Sequence, residues 1–227
     1  WPAFLHRPAR AQPPRSAVLA TDPRRRNLKP AIDYYFAAQS PWAYLGHARF
    51  VAVAQAAQRP VRVMPADFGK VFAVSGGLPL GKRAPQRQAY RLLELRRFAD
   101  HLGLPMHVQP TFFPVSGDDA SRLIIAVDMA EGSDAALRLT GAVLAAVWAE
   151  QRDIADAGVL AELLSENDLP AERLAQSREE PAQQMYAQHT QSAIDAGVFG
   201  APSYCVDGEI FWGQDRLDFL QRRLGRD

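Results

Sequence analysis

The stretch Ala31-Ile32-Asp33-Tyr34-Tyr35-Phe36-Ala37-Ala38-Gln39-Ser40-Pro41-Trp42-Ala43-Tyr44-Leu45 decides the fold. Residues 31–37 (AIDYYFA) are short, rich in β-prone aromatics and bounded by Pro30, which predicts a strand. Ser40 then supplies a good helix N-cap, and Pro41 suits the first helical position, where a missing N–H costs nothing. Trp42, Leu45, Ala48 and Ala52 follow at helical spacing, so a helix is expected to about Ala57. Residues 60–66 (PVRVMPA) predict a second strand. Strand, helix and strand over ~35 residues make a βαβ unit, with a parallel pair and a right-handed crossover.

Downstream the periodicity turns helical. Residues 85–102 carry Leu92, Leu95, Ala99 and Leu102 on one face and end at Gly103. Further helices are expected over 120–130, 133–151, 155–164, 170–176 and 181–196, the last closed by Gly197 as a C′ glycine. Residues 203–206 and 209–212 then read as two strands joined by Asp207-Gly208, a strong type I′ hairpin signal. Residues 214–224 predict a closing helix. The order is βαβ, a helical block, then ββα, which implies an α/β fold with an inserted all-helical subdomain. The expected division is 31–68 with 197–227 for the sheet-bearing part and 69–196 for the insertion. A helical bundle with a peripheral sheet is the competing architecture.

A chain of 227 residues, 48% hydrophobic, can bury a sizeable core without a metal or disulfide. Its net charge of +1 argues against a dedicated nucleic-acid binder. No apolar run approaches ~18 residues, so no transmembrane helix is expected. The first thirty residues differ from the rest: basic residues from Arg7 to Lys29 face the single acid Asp22, and prolines recur throughout. A basic Pro/Arg-rich tail without fixed structure is expected over 1–30, with an Arg-rich targeting segment as the other reading. The opening on Trp1 rather than Met is expected to reflect processing or trimming.

Cys205 is the one cysteine, which rules out an intramolecular disulfide and suits a reducing compartment. Lying between Tyr204 and Val206 in an expected strand, it reads as a packed core residue. Gly76 to Lys82 has the glycine and lysine spacing of a P-loop, but Arg83 stands where the magnesium-binding Ser/Thr is required. The five histidines show no metal-ligand spacing, so no metal is expected. No Gly-x-Ser-x-Gly is present, which argues against an α/β-hydrolase.

Three places could carry chemistry. Ser40 sits at a helix N-terminus, where free N–H groups and the dipole favour an anion and lower the pKa of a thiol placed there. Its hydroxyl could donate one more hydrogen bond to such a thiolate, or Ser40 could simply cap its helix; with no neighbouring base it would be a poor nucleophile. In Gly200-Ala201-Pro202-Ser203, Pro202 heads a strand. A cis Ala201–Pro202 bond would leave the Ala201 backbone free to pair with an extended peptide, whereas a trans bond would make Pro202 an ordinary edge residue. In Trp212-Gly213-Gln214-Asp215-Arg216 a helix start could hold a carboxylate and Asp215 an ammonium, the two ends of an amino acid.

Residues 36–45 (FAAQSPWAYL), 197–202 (GVFGAP) and 212–217 (WGQDRL) together resemble the 2-hydroxychromene-2-carboxylate isomerases. Those enzymes are close relatives of the kappa-class glutathione transferases, in the DsbA-like branch of the thioredoxin superfamily. Residues 81–85 (GKRAP) and 146–148 (AVW) fit as well, and the likeness runs in order over 31–227. The resemblance implies a thioredoxin-like fold in which Ser40 and Pro202 face each other across one sulfur-handling site. A disulfide oxidoreductase would carry Cys-x-x-Cys where this chain has Ser-Pro-Trp-Ala, so the thiol handled is not the chain's own.

By the same resemblance, glutathione is the cofactor and Ser40 is the catalytic serine that hydrogen-bonds its sulfur. The Ala201 backbone before a cis Pro202, with Val198 beside it, would hold the cysteinyl part, and Gln214 and Asp215 the γ-glutamyl head group. Arg83 would reach the glycine carboxylate of glutathione or the substrate carboxylate, and in the latter case Lys82 and Arg83 would clamp the carboxylate of a small aromatic substrate beside Trp42. The implied reaction is isomerisation of an aromatic unsaturated carboxylate by reversible thiolate addition, bond rotation and expulsion of glutathione. A cytoplasmic homodimer without nucleic-acid or membrane partners is expected. The chain departs from the family at Lys82, commonly asparagine, at Ala37, commonly an acid, and at Ala201, commonly bulkier. A kappa-like transferase conjugating electrophiles and a non-catalytic thioredoxin-like binding module are the alternatives.

Overall fold

The computed structural model describes residues 29–225. The tail expected over 1–30 lies outside them, apart from Lys29 and Pro30. Strand β1 (Ile32–Phe36) leads into helix α1 (Pro41–Ala56) and strand β2 (Val61–Pro65). Then come helices α2 (Phe68–Ser75), α3 (Pro85–Leu102), α4 (Asp118–Glu131), α5 (Ser133–Trp148), α6 (Ala157–Glu166), α7 (Glu172–Gln176) and α8 (Glu180–Asp195). Strands β3 (Ser203–Val206) and β4 (Glu209–Trp212), a 3₁₀ turn (Gln214–Arg216) and helix α9 (Leu217–Leu224) complete the fold. Among the described residues the strands form one sheet in the order β2-β1-β3-β4. Strand β1 runs parallel to β2 and antiparallel to β3, with Tyr35 opposite Ser203. This is the expected α/β arrangement.

The period-two alternation of β1 separates the two faces of the sheet. Ile32, Tyr34 and Phe36 point into a large core shared with Phe50 of α1, Leu123 and Ile124 of α4, Leu144 and Trp148 of α5, and Leu220 of α9. Tyr35 points the other way, into a smaller core with Met64, Phe68, Val71, Ala193, Val198 and Cys205. Tyr34, Phe50 and Tyr204 pack ring against ring, with centroids 4.5–5.4 Å apart, and pin α1 to the centre of the sheet.

Three elements differ from the sequence reading, one of them an unexpected 3₁₀ turn at Leu80–Lys82. Helix α2 was not expected: Asp67 caps it by accepting from the Gly69 and Lys70 amides, immediately after β2 ends. The closing helix is split, because its first turn is 3₁₀ and the α-helix proper starts at Leu217. The hairpin is as expected, with Asp207 and Gly208 at φ 51° and 80°. No helix among the described residues is long and apolar enough to cross a membrane.

Candidate active site

The end of β1 and the start of β3 lie side by side because the two strands are antiparallel neighbours. The chain leaving β1 turns through an Ala37 carbonyl–Ser40 amide bond of 2.9 Å and enters α1. Ser40 is nearly buried and caps that helix, its Oγ accepting from the Ala43 amide at 3.2 Å. Pro41 has no N–H, and the Tyr44 amide donates to the Ser40 carbonyl at 3.1 Å. The Trp42 amide is then the first-turn donor with no partner among the described residues. A hydroxyl that accepts a cap bond still carries its own proton. Ser40 can therefore serve its helix and donate to an anion at the same time.

The Ala201–Pro202 bond is cis. The Pro202 carbonyl accepts from the Gly213 amide at 2.9 Å, which ties this corner to the 3₁₀ turn carrying Gln214 and Asp215. That turn packs on α1 through a close approach at Gly46, where a methyl group would stand 2.7 Å from Gln214 Cβ and 2.9 Å from Tyr204 Oη. Arg49, one helical turn along α1, donates to Gln214 Oε1 at 3.1 Å. Gln214 is thus buried with its Nε2 unpartnered, while Asp215 is exposed beside Arg216, 2.6 Å away.

A cavity of about 550 Å³ opens at this corner. Trp42, Arg83, Ala201, Gln214 and Asp215, all named from the sequence, line it together. Ser40 lies two residues before the lining residue Trp42, and Pro202 directly follows the lining residue Ala201. Lys82 and Val198 are not brought to its walls: Lys82 is exposed at the end of a 3₁₀ turn, and Val198 is buried in the smaller core. Arg83 reaches the cavity while its Nε donates to the Leu78 carbonyl at 2.8 Å, and burial, with Arg87 close by, lowers its pKa. Cys205 is buried away from the cavity, and burial with Asp33 nearby pushes its thiol up to about 12. It is the packed residue expected.

One whole wall was missed. Helix α3 presents Arg87, Arg91, Glu94 and Phe98 to the cavity, and the Phe98 ring meets Trp42 edge-on at 5.9 Å. Trp212, braced edge-on by Phe199, forms part of the lining near Ala201. The signal for α3 was present as arginines at 87 and 91, four residues apart and so on one helix face, with Arg83 just ahead of the helix.

Strand order, helix placement and this corner site define a DsbA-like thioredoxin fold. The chain belongs to that family: the sequence profile of the DSBA-like thioredoxin domain matches residues 31–225. Within the family, it is 29% identical over 195 residues to a 2-hydroxychromene-2-carboxylate isomerase of Sphingobium xenophagum, covering 85% of this chain and 97% of that one. It is 23% identical over 205 residues to glutathione S-transferase kappa 1 of Caenorhabditis elegans, covering 84% of this chain and 89% of that one. A solved 2-hydroxychromene-2-carboxylate isomerase superposes with a TM-score of 0.73 at 26% identity, covering 86% and 95% of the two chains.

Proposed function

We propose that this protein is a glutathione-dependent isomerase that acts on an aromatic unsaturated carboxylate. The observation that carries the reading is Ser40: a nearly buried hydroxyl, committed as an acceptor to its helix cap, whose proton stays available beside the unpaired Trp42 amide. Both groups favour a thiolate over a thiol. The chain has no second cysteine with which to run dithiol chemistry itself. Homology to an isomerase and to a kappa-class transferase supports the same reading.

The residues at hand fit the cofactor. Asp215 offers a carboxylate to an ammonium, and the buried, unpartnered Nε2 of Gln214 offers a donor to a carboxylate in the same turn. The Ala201 backbone would hold the central residue of the tripeptide, with Val198 supporting it from the core. Bound glutathione supplies a nucleophilic sulfur that adds reversibly to a conjugated double bond. Ser40 holds the negative charge on that sulfur by donating its hydroxyl proton as a hydrogen bond. Trp42, Phe98 and Trp212 form an apolar enclosure for a flat ring, and the arginines of the cavity wall, Arg83 among them, supply positive charge for the substrate carboxylate. In this proposal residues 69–196 act as the helical insertion that supplies the wall. The enzyme works as a homodimer in a reducing cytoplasm, where glutathione keeps thiols reduced.

The test is turnover of a 2-hydroxychromene-2-carboxylate followed by absorbance with and without glutathione. Interconversion that requires glutathione and does not consume it is the expected result. Accumulation of a stable conjugate with an electrophile, without isomer interconversion, would instead establish the kappa-like transferase. Absence of glutathione binding up to millimolar concentration would leave only the binding module.

A further inference from the structure

The cavity carries more positive charge than its own acids neutralise. Arg83, Arg87, Arg91 and Arg216 face it against two acids, Glu94 and Asp215. Both acids are engaged, Glu94 by Arg97 at 2.8 Å and Asp215 by Arg216 at 2.6 Å. The arginines along α3 stand four residues apart, a spacing at which like charges repel.

Arg91 is the unusual member. It is half-buried and makes no hydrogen bond or ion pair among the described residues. Its guanidinium carbon instead lies over two rings, 5.3 Å from the centre of Phe113 and 5.7 Å from that of Trp148. Phe113 and Trp148 hold each other at 4.8 Å, and Trp148 is wholly buried, so the seat is rigid. Burial, with Arg83 nearby, lowers the Arg91 pKa to about 10. The rings replace part of the solvent shell of this cation, and no carboxylate among the described residues pairs with it to offset that desolvation. A guanidinium whose faces rest on rings keeps its edge for a planar anion, which it binds through two parallel N–H donors.

We propose that Arg91 is the specificity-determining residue of the cavity and receives the carboxylate of the aromatic ligand. Arg83, whose Nε is already given to Leu78, is secondary, and the exposed Lys82 takes no direct part. Phe98 lies seven residues from Arg91 on the same face of α3, so a ring seated against Trp42 and Phe98 keeps its acid within reach of Arg91. This rests on the proposed function only for the presence of glutathione beside the second ligand.

Calorimetry with trans-cinnamate as the anionic probe and cinnamamide as its neutral counterpart tests the assignment, on protein saturated with glutathione. Wild type is expected to bind cinnamate and to discriminate against the amide. Arg91→Met is expected to weaken cinnamate by roughly ten- to a hundredfold, the loss of a charge-assisted hydrogen bond. It should abolish the preference over the amide and leave glutathione affinity within about twofold. Arg91→Lys, which keeps the charge and loses the fork, should fall between them, and it carries the same comparison if Arg91→Met fails to fold. Unchanged cinnamate binding in either variant overturns the proposal. So does a parallel loss of glutathione, which would assign Arg91 to the cofactor, or a wild type that binds neither probe. A wild type that binds cinnamate through Arg91 but not glutathione would sink the proposed function and leave this assignment standing.

Discussion

Replacing Ser40 separates two roles that one hydroxyl performs. As an N-cap it accepts from the Ala43 amide at 3.2 Å, and Ser40→Ala removes that bond at a cost of about 1 kcal/mol. For a domain of this size the melting temperature should fall by about 2–4 °C. Ser40→Gly removes the same hydroxyl, but glycine is a tolerated cap, so its cost is only about a few tenths of a kcal/mol. The interaction with a bound thiolate scales differently. A hydrogen bond to a charged acceptor contributes about 1.5–3 kcal/mol, and 1.36 kcal/mol corresponds to one pH unit, so the bound thiol should titrate about 1–2 pH units higher in both variants. The helix dipole, about 0.3–1 kcal/mol, and the Trp42 amide remain, which keeps the effect from being larger. Ser40→Thr keeps a hydroxyl and should titrate near wild type. The assay is the ultraviolet thiolate absorbance of glutathione bound to each variant against pH, with thermal melts on the same samples. If Ser40→Gly leaves the thiol pKa at its wild-type value, the hydroxyl is only a cap and the reasoning fails.

Two further outcomes follow from the packing. Gly46→Ala would place a methyl 2.7 Å from Gln214 Cβ and 3.3 Å from Gln214 Cα, atoms that cannot swing aside as a side-chain tip can. Overpacking should outweigh the helix-propensity gain and destabilise by about 1–2 kcal/mol in denaturant melts. Glutathione affinity should fall as well, because Asp215 moves with Gln214; normal stability with normal binding would refute the close approach. His47 is buried, its Nε2 donating to the Leu137 carbonyl at 3.0 Å and its Nδ1 3.4 Å from the Tyr34 hydroxyl. Burial lowers its pKa from 6.5 to about 4, and burial does the same to His189. Each contribution is complete above the unfolded value of 6.5 and is lost as pH falls toward 4, since the unfolded chain binds the proton first. His47→Gln should recover about 2 kcal/mol of the stability lost between about pH 7 and 4.5, measured as the difference in denaturant melts. Equal acid sensitivity in variant and wild type would show that His47 does not titrate in this range.

Local chemistry was readable without the structure wherever a few adjacent residues settle the backbone. Ser40 and Pro41 announce a helix start, and Asp207-Gly208 a type I′ turn, because the cap bond and the positive φ values involve only neighbours. The β-prone aromatics of β1, bounded by Pro30, predicted a strand, but that both of its faces are buried emerged only from the packing. Helix α2 escaped because its cap, Asp67, follows β2 with no intervening loop, and a strand end hid a helix start. The 3₁₀ turn at Gln214 escaped because its geometry is set by contact with Gly46, far away in the chain.

The same distinction divides the site. The sequence by itself determined the βαβ and ββα frame, the absence of a dithiol and the serine cap, since each depends on residue identity and near neighbours. Tertiary structure alone decided which cations face the cavity. Arg83 and Lys82 are adjacent and look equivalent in sequence, yet only Arg83 reaches the wall. Arg91 acquires its character from Phe113, in the loop between α3 and α4, and from Trp148, at the end of α5, which folding brings under its guanidinium. A charge is tuned by what surrounds it in space, and that surrounding exists only once distant segments have packed.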